Sequence, residues 1–137
     1  MNPTTLFALP DSSPQDADVL LLPLPYEQTA CYGKGTARAP QAIWQASTHV
    51  ELWDEELDFD LDSLRFHTAP PVKPVGDEPA EKYLARVQAA AEALHQHPGL
   101  VVGVGGEHSL TPPLAEAAVG GAASLASLTV VQIDAHS

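Results

Sequence analysis

The sequence predicts an α/β fold with a mainly parallel sheet, because three short apolar runs alternate with segments of helical character. The runs are Val19–Leu22, Leu100–Val104 and Leu128–Ile133. Apolar residues dominate each run, which is typical of strands buried on both faces of a sheet. The resulting order of strand, helix, strand, helix, strand favours parallel strands joined by helical crossovers.

Three helices are predicted between and beside these strands. The first runs from about Ala39 to Ser47, where Pro40 suits the first turn because its missing N–H is not needed there. The second runs from Glu78 to His97, with apolar residues at helical spacing and a Pro-Gly pair after its end. The third runs from about Thr111 to Val119.

The rest of the chain is assigned to an arm, one further strand and connecting loops. Residues 1–18 are rich in Pro, Ser, Thr and Asp, which predicts an extended N-terminal arm, and residues 19–137 are assigned to a single α/β domain. Alternation over Val50–Trp53 predicts a half-buried strand. The acidic run 54–62 is interpreted as a solvated loop rather than a metal site. The remaining predicted loops and connectors are 26–37, 69–79 and 120–127.

The charge balance excludes whole classes of partner. Lys and Arg number 6 against 18 Asp and Glu, which gives a formal net charge of −12. Such a surface repels phosphate backbones and anionic lipid, so nucleic acid and membrane are excluded as partners, whereas cationic small molecules and metal ions are attracted. No apolar run approaches the ~18 residues that a membrane span requires.

The cysteine count and the N-terminus bound the redox chemistry and the compartment. Cys31 is the single cysteine, so an internal disulfide and a cysteine-based zinc site are both excluded. The first ten residues have no Lys or Arg before their short apolar stretch, which makes a poor secretory signal. We therefore expect a cytoplasmic protein.

Metal-binding residue types follow two of the predicted strands. His108 comes just after the strand that ends at Val104, and Asp134 and His136 come just after the strand that ends at Ile133. Ligand sites in open α/β sheets lie at the carboxyl ends of the strands, so we expect the three residues on one rim. Imidazole mixed with carboxylate favours Mn²⁺ or Zn²⁺ over Ca²⁺.

Simpler interpretations exist for each of these residues taken alone. A histidine after a strand is commonly a loop residue, and an aspartate at a strand end is commonly a helix cap. Glu107 is left with two interpretations, a carboxylate that hydrogen-bonds a metal ligand or an exposed residue. The remaining histidines are interpreted as surface residues: His49, His67, His95 and His97.

Together the two motifs resemble those of the ureohydrolase family, which includes arginase, agmatinase and formiminoglutamase. The matching residues are Gly105-Gly106-Glu107-His108-Ser109 and Asp134-Ala135-His136-Ser137. The segment Gly33-Lys34-Gly35-Thr36 and the residues 40–43 and 50–57 are similar to the opening of bacterial agmatinases. The resemblance runs from about Val19 to Ser137.

The resemblance implies a fold, a metal centre and a reaction. The fold is a three-layer αβα sandwich. The centre holds two Mn²⁺ ions, with His108 binding one, His136 the other and Asp134 bridging them. A hydroxide between the metals hydrolyses a cationic guanidino compound, with agmatine as the expected substrate and urea and putrescine as products. Members of the family assemble as homo-oligomers, either trimers or hexamers.

The family pattern continues past the residues present here. After Ser137 the family has an aspartate ligand, then a later Asp-x-Asp pair, a proton-shuttling histidine and a guanidinium-binding glutamate. In the family, strands from the C-terminal half also separate the strands that precede the two motifs. We therefore expect these 137 residues to be the N-terminal portion of a chain roughly twice as long, inactive alone.

Three alternatives stay open. The first is the activity of another ureohydrolase, such as guanidinobutyrase, formiminoglutamase or arginase, which would use the same metal-binding residues. A deacetylase-like zinc hydrolase also places Asp-x-His at a strand end, but it lacks Gly-Gly-Glu-His-Ser. A non-catalytic fragment is the third alternative, and titration with Mn²⁺ would distinguish it.

Overall fold

A computed structural model describes residues 5–134 and shows a parallel sheet with helices on both faces. The strands are β1 (Val19–Leu24), β2 (Trp53–Asp54), β3 (Phe59–Asp60), β4 (Phe66–Thr68) and β5 (Leu100–Gly105); the helices are α1 (Ala39–Ser47), α2 (Ala80–Leu94) and α3 (Thr111–Ala118). The main sheet has the order β4-β1-β5, and both pairings are parallel. This arrangement confirms the predicted α/β class.

The side chains of β1 alternate between two apolar layers. Leu20, Leu22 and Leu24 lie in one core cluster with residues of α2 and α3, whereas Leu21 lies in a second cluster with Phe66. Successive side chains of a strand point to opposite faces, so both faces of β1 require a cover. Helices α2 and α3 cover one face, and α1 with the N-terminal segment covers the other. The αβα layering implied by the resemblance is therefore present.

The three predicted helices are confirmed, with small differences at their ends. Helix α1 has the predicted bounds. Helix α2 is shorter than predicted at both ends, and Pro79 stands immediately before its first turn. Pro79 has an extended conformation, so the helix cannot begin before Ala80.

Strand β4 was not predicted, because its three residues show no apolar run. It forms because β1 pairs with it on the side opposite β5. The N-terminal segment then lies along its outer edge, where Ser12 N donates to Phe66 O (2.7 Å) and Thr68 N donates to the Asp11 carboxylate (2.8 Å). His67 lies between them, half-buried and 2.8 Å from Ser12 O through Nδ1. The prediction of a surface His67 is therefore wrong.

The predicted half-buried strand Val50–Trp53 is also wrong. The chain instead forms an exposed hairpin of β2 and β3, paired antiparallel. The Asp54 carboxylate accepts hydrogen bonds from the backbone N–H groups of Glu56 and Leu57 (3.0 and 2.9 Å), and this local turn reverses the chain. Val50 and Trp53 remain about half exposed because the hairpin does not join the main sheet.

The third predicted strand, Leu128–Ile133, does not form in this chain. Residues 128–134 are irregular, and Ile133 is 99% exposed. An apolar run becomes a strand only when neighbouring strands accept and donate its backbone hydrogen bonds, and none of the described residues do so here. For the same reason β5 is an edge strand and is half-buried rather than buried as predicted.

None of the helices within residues 5–134 combines the length and the apolar character needed to cross a bilayer.

Candidate metal centre

His108 lies on a single 3₁₀ turn, His108–Leu110, between β5 and α3. Leu24, the last residue of β1, pairs with Gly105, the last residue of β5, so this turn lies at the carboxyl edge of the sheet. Gly106 makes the sharp descent into the turn possible, because a Cβ at this position would stand 1.9 Å from Tyr26 O. Only glycine permits so close a backbone approach.

The structure brings His108 and Asp134 together. His108 Nδ1 lies 3.7 Å from Asp134 Oδ2. The His108 side chain is 75% exposed, whereas the Asp134 side chain is only 13% exposed although the residue as a whole is exposed. Gln132 Nε2 donates to the same carboxylate oxygen at 2.8 Å. Two of the three residues expected on one rim, His108 and Asp134, therefore lie together, even without the predicted strand before Asp134.

The separation of the two donor atoms suits a shared divalent cation. Nitrogen and oxygen ligands lie about 2.1 Å from such ions, so two donors to one ion can be at most about 4.2 Å apart. The observed 3.7 Å is within that limit. One imidazole and one carboxylate form the mixed donor set that Mn²⁺ and Zn²⁺ accept. The two donors thus fit the implied metal, although they do not complete its coordination.

The third predicted ligand, His136, lies outside the described residues. Across residues 5–134, no group of three or more His, Cys, Asp or Glu side chains is placed to hold one metal ion. The predicted three-ligand set therefore remains a prediction. The structure contributes one geometric fact, the proximity of His108 and Asp134.

Glu107 has a role that neither of its two interpretations from the sequence predicted. Its carboxylate accepts from Thr29 N at 2.9 Å and from the hydroxyls of Thr29 and Ser109. Partial burial by itself would raise the pKa of Glu107, but the hydrogen bonds from Ser109 and Thr29 outweigh it and lower the pKa below its usual value. The carboxylate therefore joins two segments that are 78 residues apart.

The loop between β1 and α1 reaches the same rim and is held by a second carboxylate. Glu27 accepts from Gly35 N at 2.6 Å and from Ala37 N at 3.1 Å. The hydrogen bonds from Ala37 and Gly35 lower the pKa of Glu27. Gly35 has φ of 127°, which an L side chain rarely adopts. The loop is thus folded back on itself beside the His108 turn.

An aromatic pair supports this loop from below. The rings of Tyr26 and Tyr83 are stacked, with centroids 4.1 Å apart and planes 10° apart, and both side chains are fully buried. Burial raises the pKa of Tyr26, and the nearby Glu107 carboxylate raises it further. The start of the loop is therefore fixed to α2 by packing.

An open cavity of about 220 Å³ lies beside the turn. Its wall includes Gly105, Glu107, His108 and Leu114. A partly polar recess next to two metal-ligating residue types is suited to a small polar ligand.

The remaining histidines are not part of this arrangement. His49 and His95 are exposed as predicted, whereas His97 is half-buried, which departs from its predicted surface position as His67 does. Thr29 is the residue that the sequence interpretation missed. No local signal marks it, because its role depends on a contact with a residue 78 positions away.

Comparison with known proteins shows which family this chain resembles. A family model described as the arginase family matches residues 17–137. An N(1)-aminopropylagmatine ureohydrolase from Synechocystis is 35% identical over 88% of this chain. An agmatinase from Pyrococcus horikoshii is 35% identical over 77% of it. The alignments cover 40% and 37% of those two relatives, so this chain spans less than half of their length.

A solved structure supports the fold independently. A formiminoglutamase from Trypanosoma cruzi, with Mn²⁺ bound, superposes with a TM-score of 0.68 at 17% sequence identity. The superposition covers 82% of this chain and 38% of that protein. At this level of identity the likeness establishes a shared fold.

Proposed function

The chain belongs to the arginase family, and on that premise we propose that it supplies the N-terminal part of a manganese-dependent ureohydrolase acting on agmatine. The observation that carries the proposal is the 3.7 Å approach of His108 Nδ1 to Asp134 Oδ2 at the carboxyl edge of the sheet. In this proposal His108 and Asp134 would hold the Mn²⁺ ions, with His136 as a further ligand. Catalysis requires additional residues from the rest of the complete protein.

The proposed reaction is hydrolysis of one C–N bond of a guanidinium group. Water adds to the guanidinium carbon, the bond to the alkyl-bearing nitrogen breaks, and that nitrogen leaves as a protonated amine. Agmatine and water thus give putrescine and urea. A binuclear manganese centre, when bound, supplies Lewis acidity that lowers the pKa of water toward neutrality.

The charge of the chain supports a cationic substrate. The chain has 6 basic and 18 acidic residues, and a negatively charged surface raises the local concentration of cations near the site. Agmatine carries a guanidinium at one end and an ammonium at the other. N1-aminopropylagmatine, which adds a further amine, is a second candidate because the Synechocystis relative is named for it.

Urea release from the complete protein tests the proposal. We expect urea from agmatine in the presence of Mn²⁺, and none after chelation. N1-aminopropylagmatine, arginine and 4-guanidinobutyrate, assayed in parallel, distinguish the possible substrates by kcat/KM. Absence of urea from every guanidino compound would overturn the proposal.

Variants of the two ligands connect the reaction to the site. His108→Ala and Asp134→Ala are each expected to weaken Mn²⁺ binding and to abolish urea release. His95→Ala is the matched control, because His95 is exposed at the end of α2, away from the turn. Equal activity in all three variants would contradict the assignment of the ligands.

Two further expectations accompany the proposal. We expect the complete protein to form a homo-oligomer, a trimer or a hexamer, which sedimentation velocity would measure. We also expect it to be cytoplasmic.

A further inference from the structure

We propose that Glu107 is a positioning residue that fixes the turn carrying His108 against the loop after β1. The inference rests on the proposed function, because it assigns Glu107 an effect on a metal bound through His108. The starting observation is that the His108 side chain is 75% exposed, so packing around the imidazole does little to fix its position. The position of the imidazole depends on its contact with Asp134, whose Oδ2 lies 3.7 Å from His108 Nδ1, and on how the turn that carries His108 is held.

The turn is held on both sides of His108. On the N-terminal side, the Gly106 backbone lies against Tyr26 O, and Tyr26 is stacked on Tyr83 in the core. On the C-terminal side, the Ser109 hydroxyl donates to the Glu107 carboxylate. Glu107 extends this attachment to the loop after β1, where Thr29 donates through both its backbone N–H and its hydroxyl.

The chemistry of the contact favours a carboxylate. One oxygen, Oε2, accepts the Thr29 N–H at 2.9 Å, and the other, Oε1, accepts two hydroxyls. All three partners are donors, and hydrogen bonds to an ionised acceptor are stronger than neutral ones. Glu107→Gln keeps nearly the same shape but removes the charge, so the hydrogen bonds to its side chain are weaker even where the two hydroxyls turn to accept from its NH₂ group.

The consequence is a coupling between the metal site and the loop after β1. Outer partners that orient metal ligands typically change metal affinity by about 10- to 100-fold when they are removed. If the contact between Glu107 and Thr29 favours the metal-binding position of His108, bound metal must favour that contact by the same factor. A purely structural role would stabilise the fold without this reciprocity.

Calorimetric titration of the complete protein with Mn²⁺ alone tests the inference. We expect Glu107→Gln to lower the Mn²⁺ affinity by about 10- to 100-fold. Thr29→Val, which removes one hydroxyl and leaves the backbone bond, is expected to give a smaller loss. Thr29→Ser restores the hydroxyl and is expected to bind Mn²⁺ as the wild type does.

Matched controls separate this effect from loss of charge or of a hydroxyl elsewhere. Glu92→Gln removes an exposed carboxylate that accepts from Gln88 on α2, and Thr48→Val removes an exposed hydroxyl that donates to Gln45 O. Both are expected to leave Mn²⁺ affinity unchanged. The Thr29 pair keeps the test decisive even if Glu107→Gln fails to fold.

Hydrogen exchange supplies a second readout that does not depend on activity. Saturating Mn²⁺ is expected to slow exchange of the Thr29 amide in the wild type and to have no such effect in Glu107→Gln. Wild-type Mn²⁺ affinity in Glu107→Gln or in Thr29→Val would overturn the inference alone. A wild-type protein that binds no Mn²⁺ would overturn the proposed function, and the inference with it.

Discussion

The backbone of Gly106 lies so close to the carbonyl oxygen of Tyr26 that a Cβ on residue 106 would stand 1.9 Å from that oxygen. The oxygen that such a Cβ would meet belongs to the backbone of Tyr26, whose side chain is fully buried against Tyr83. The Tyr26 carbonyl group therefore cannot rotate away from a side chain at position 106 as a flexible side chain would. This contact between two backbones restrains the His108 turn on its N-terminal side.

Substitution of Gly106 by alanine is expected to be strongly destabilising. Gly106→Ala must displace either the turn or the loop, which we expect to cost about 3 kcal/mol of unfolding free energy. Gly105→Ala is the matched control, because its Cβ would meet the end of the flexible Leu110 side chain at 2.6 Å. Urea unfolding measures the free energy of unfolding of both variants. Equal losses of stability would show that the backbone contact is not the cause.

Removal of the Tyr83 hydroxyl is expected to cost about 1 kcal/mol of unfolding free energy. The hydroxyl donates to Val72 O at 2.8 Å and joins α2 to the connector before it. Tyr83→Phe deletes this bond and leaves the stacked ring in place. Tyr32→Phe is the control, because Tyr32 is 100% exposed, and a comparable loss there would contradict the explanation.

Tyr83 also predicts that the stability of the fold decreases at alkaline pH. Burial raises the pKa of Tyr83 from 10.0 to about 12. The unfolded state therefore loses the proton first, and stability falls as the pH rises from 10.0 toward 12. Tyr83→Phe is expected to show a shallower fall over this window when both proteins are unfolded with urea, and an identical slope would contradict the assignment.

The ion pair of Asp18 and Arg65 predicts a sensitivity to acid. Hydrogen bonds from Arg65 hold the pKa of Asp18 at about 2, below the usual 3.8. The contribution of this carboxylate is thus fully present above pH 3.8 and is lost as the pH falls through about 2. Asp18→Asn is expected to be less stable than the wild type near neutrality, with the difference shrinking below pH 3.8.

Asp77→Asn is the control for this experiment, because Asp77 is exposed on the connector before α2. We expect it to have little effect on unfolding at any pH. A difference between Asp18→Asn and the wild type that stays constant from neutrality to strong acid would show that the ion pair is not responsible.

Ile133 tests the proposal that this chain is the N-terminal part of a longer protein. In this chain Ile133 is 99% exposed, so Ile133→Ala is expected to change the unfolding free energy by less than about 0.5 kcal/mol. In the complete protein, pairing of residues 128–133 with further strands would bury it and raise the loss to about 2–5 kcal/mol. An equally small effect in both proteins would show that the predicted strand does not form.

The spacing of apolar residues along the chain predicted the helices and the two longer strands. Apolar side chains recur at the period of the helix or strand to which they belong, because only one face or both faces of that element are buried. Helix α1 is therefore found where it was predicted, and strand β1 begins at the predicted Val19 but ends at Leu24 instead of Leu22. Strand β4 could not be predicted in this way, because its three residues become a strand through pairing with β1. The hairpin of β2 and β3 depends on the Asp54 turn, which lay within a run interpreted as a loop.

For the site, the sequence predicted that His108 and Asp134 would share one edge of the sheet, and the structure places them 3.7 Å apart. It left the role of Glu107 open between two interpretations, and the structure gave a third. Thr29 could not be predicted at all, because nothing in its neighbourhood indicates a partner 78 residues away.

The sequence by itself determined the alternation of apolar runs and helices and the order of metal-binding residue types after the strands. Those features depend on residues near one another in the chain, where side-chain spacing dictates local conformation. Tertiary structure alone decided that β5 is an edge, that residues 129–133 stay exposed, and that Glu107 holds Thr29. These outcomes depend on which distant segments supply hydrogen-bond partners and apolar cover, and local spacing carries no information about that choice.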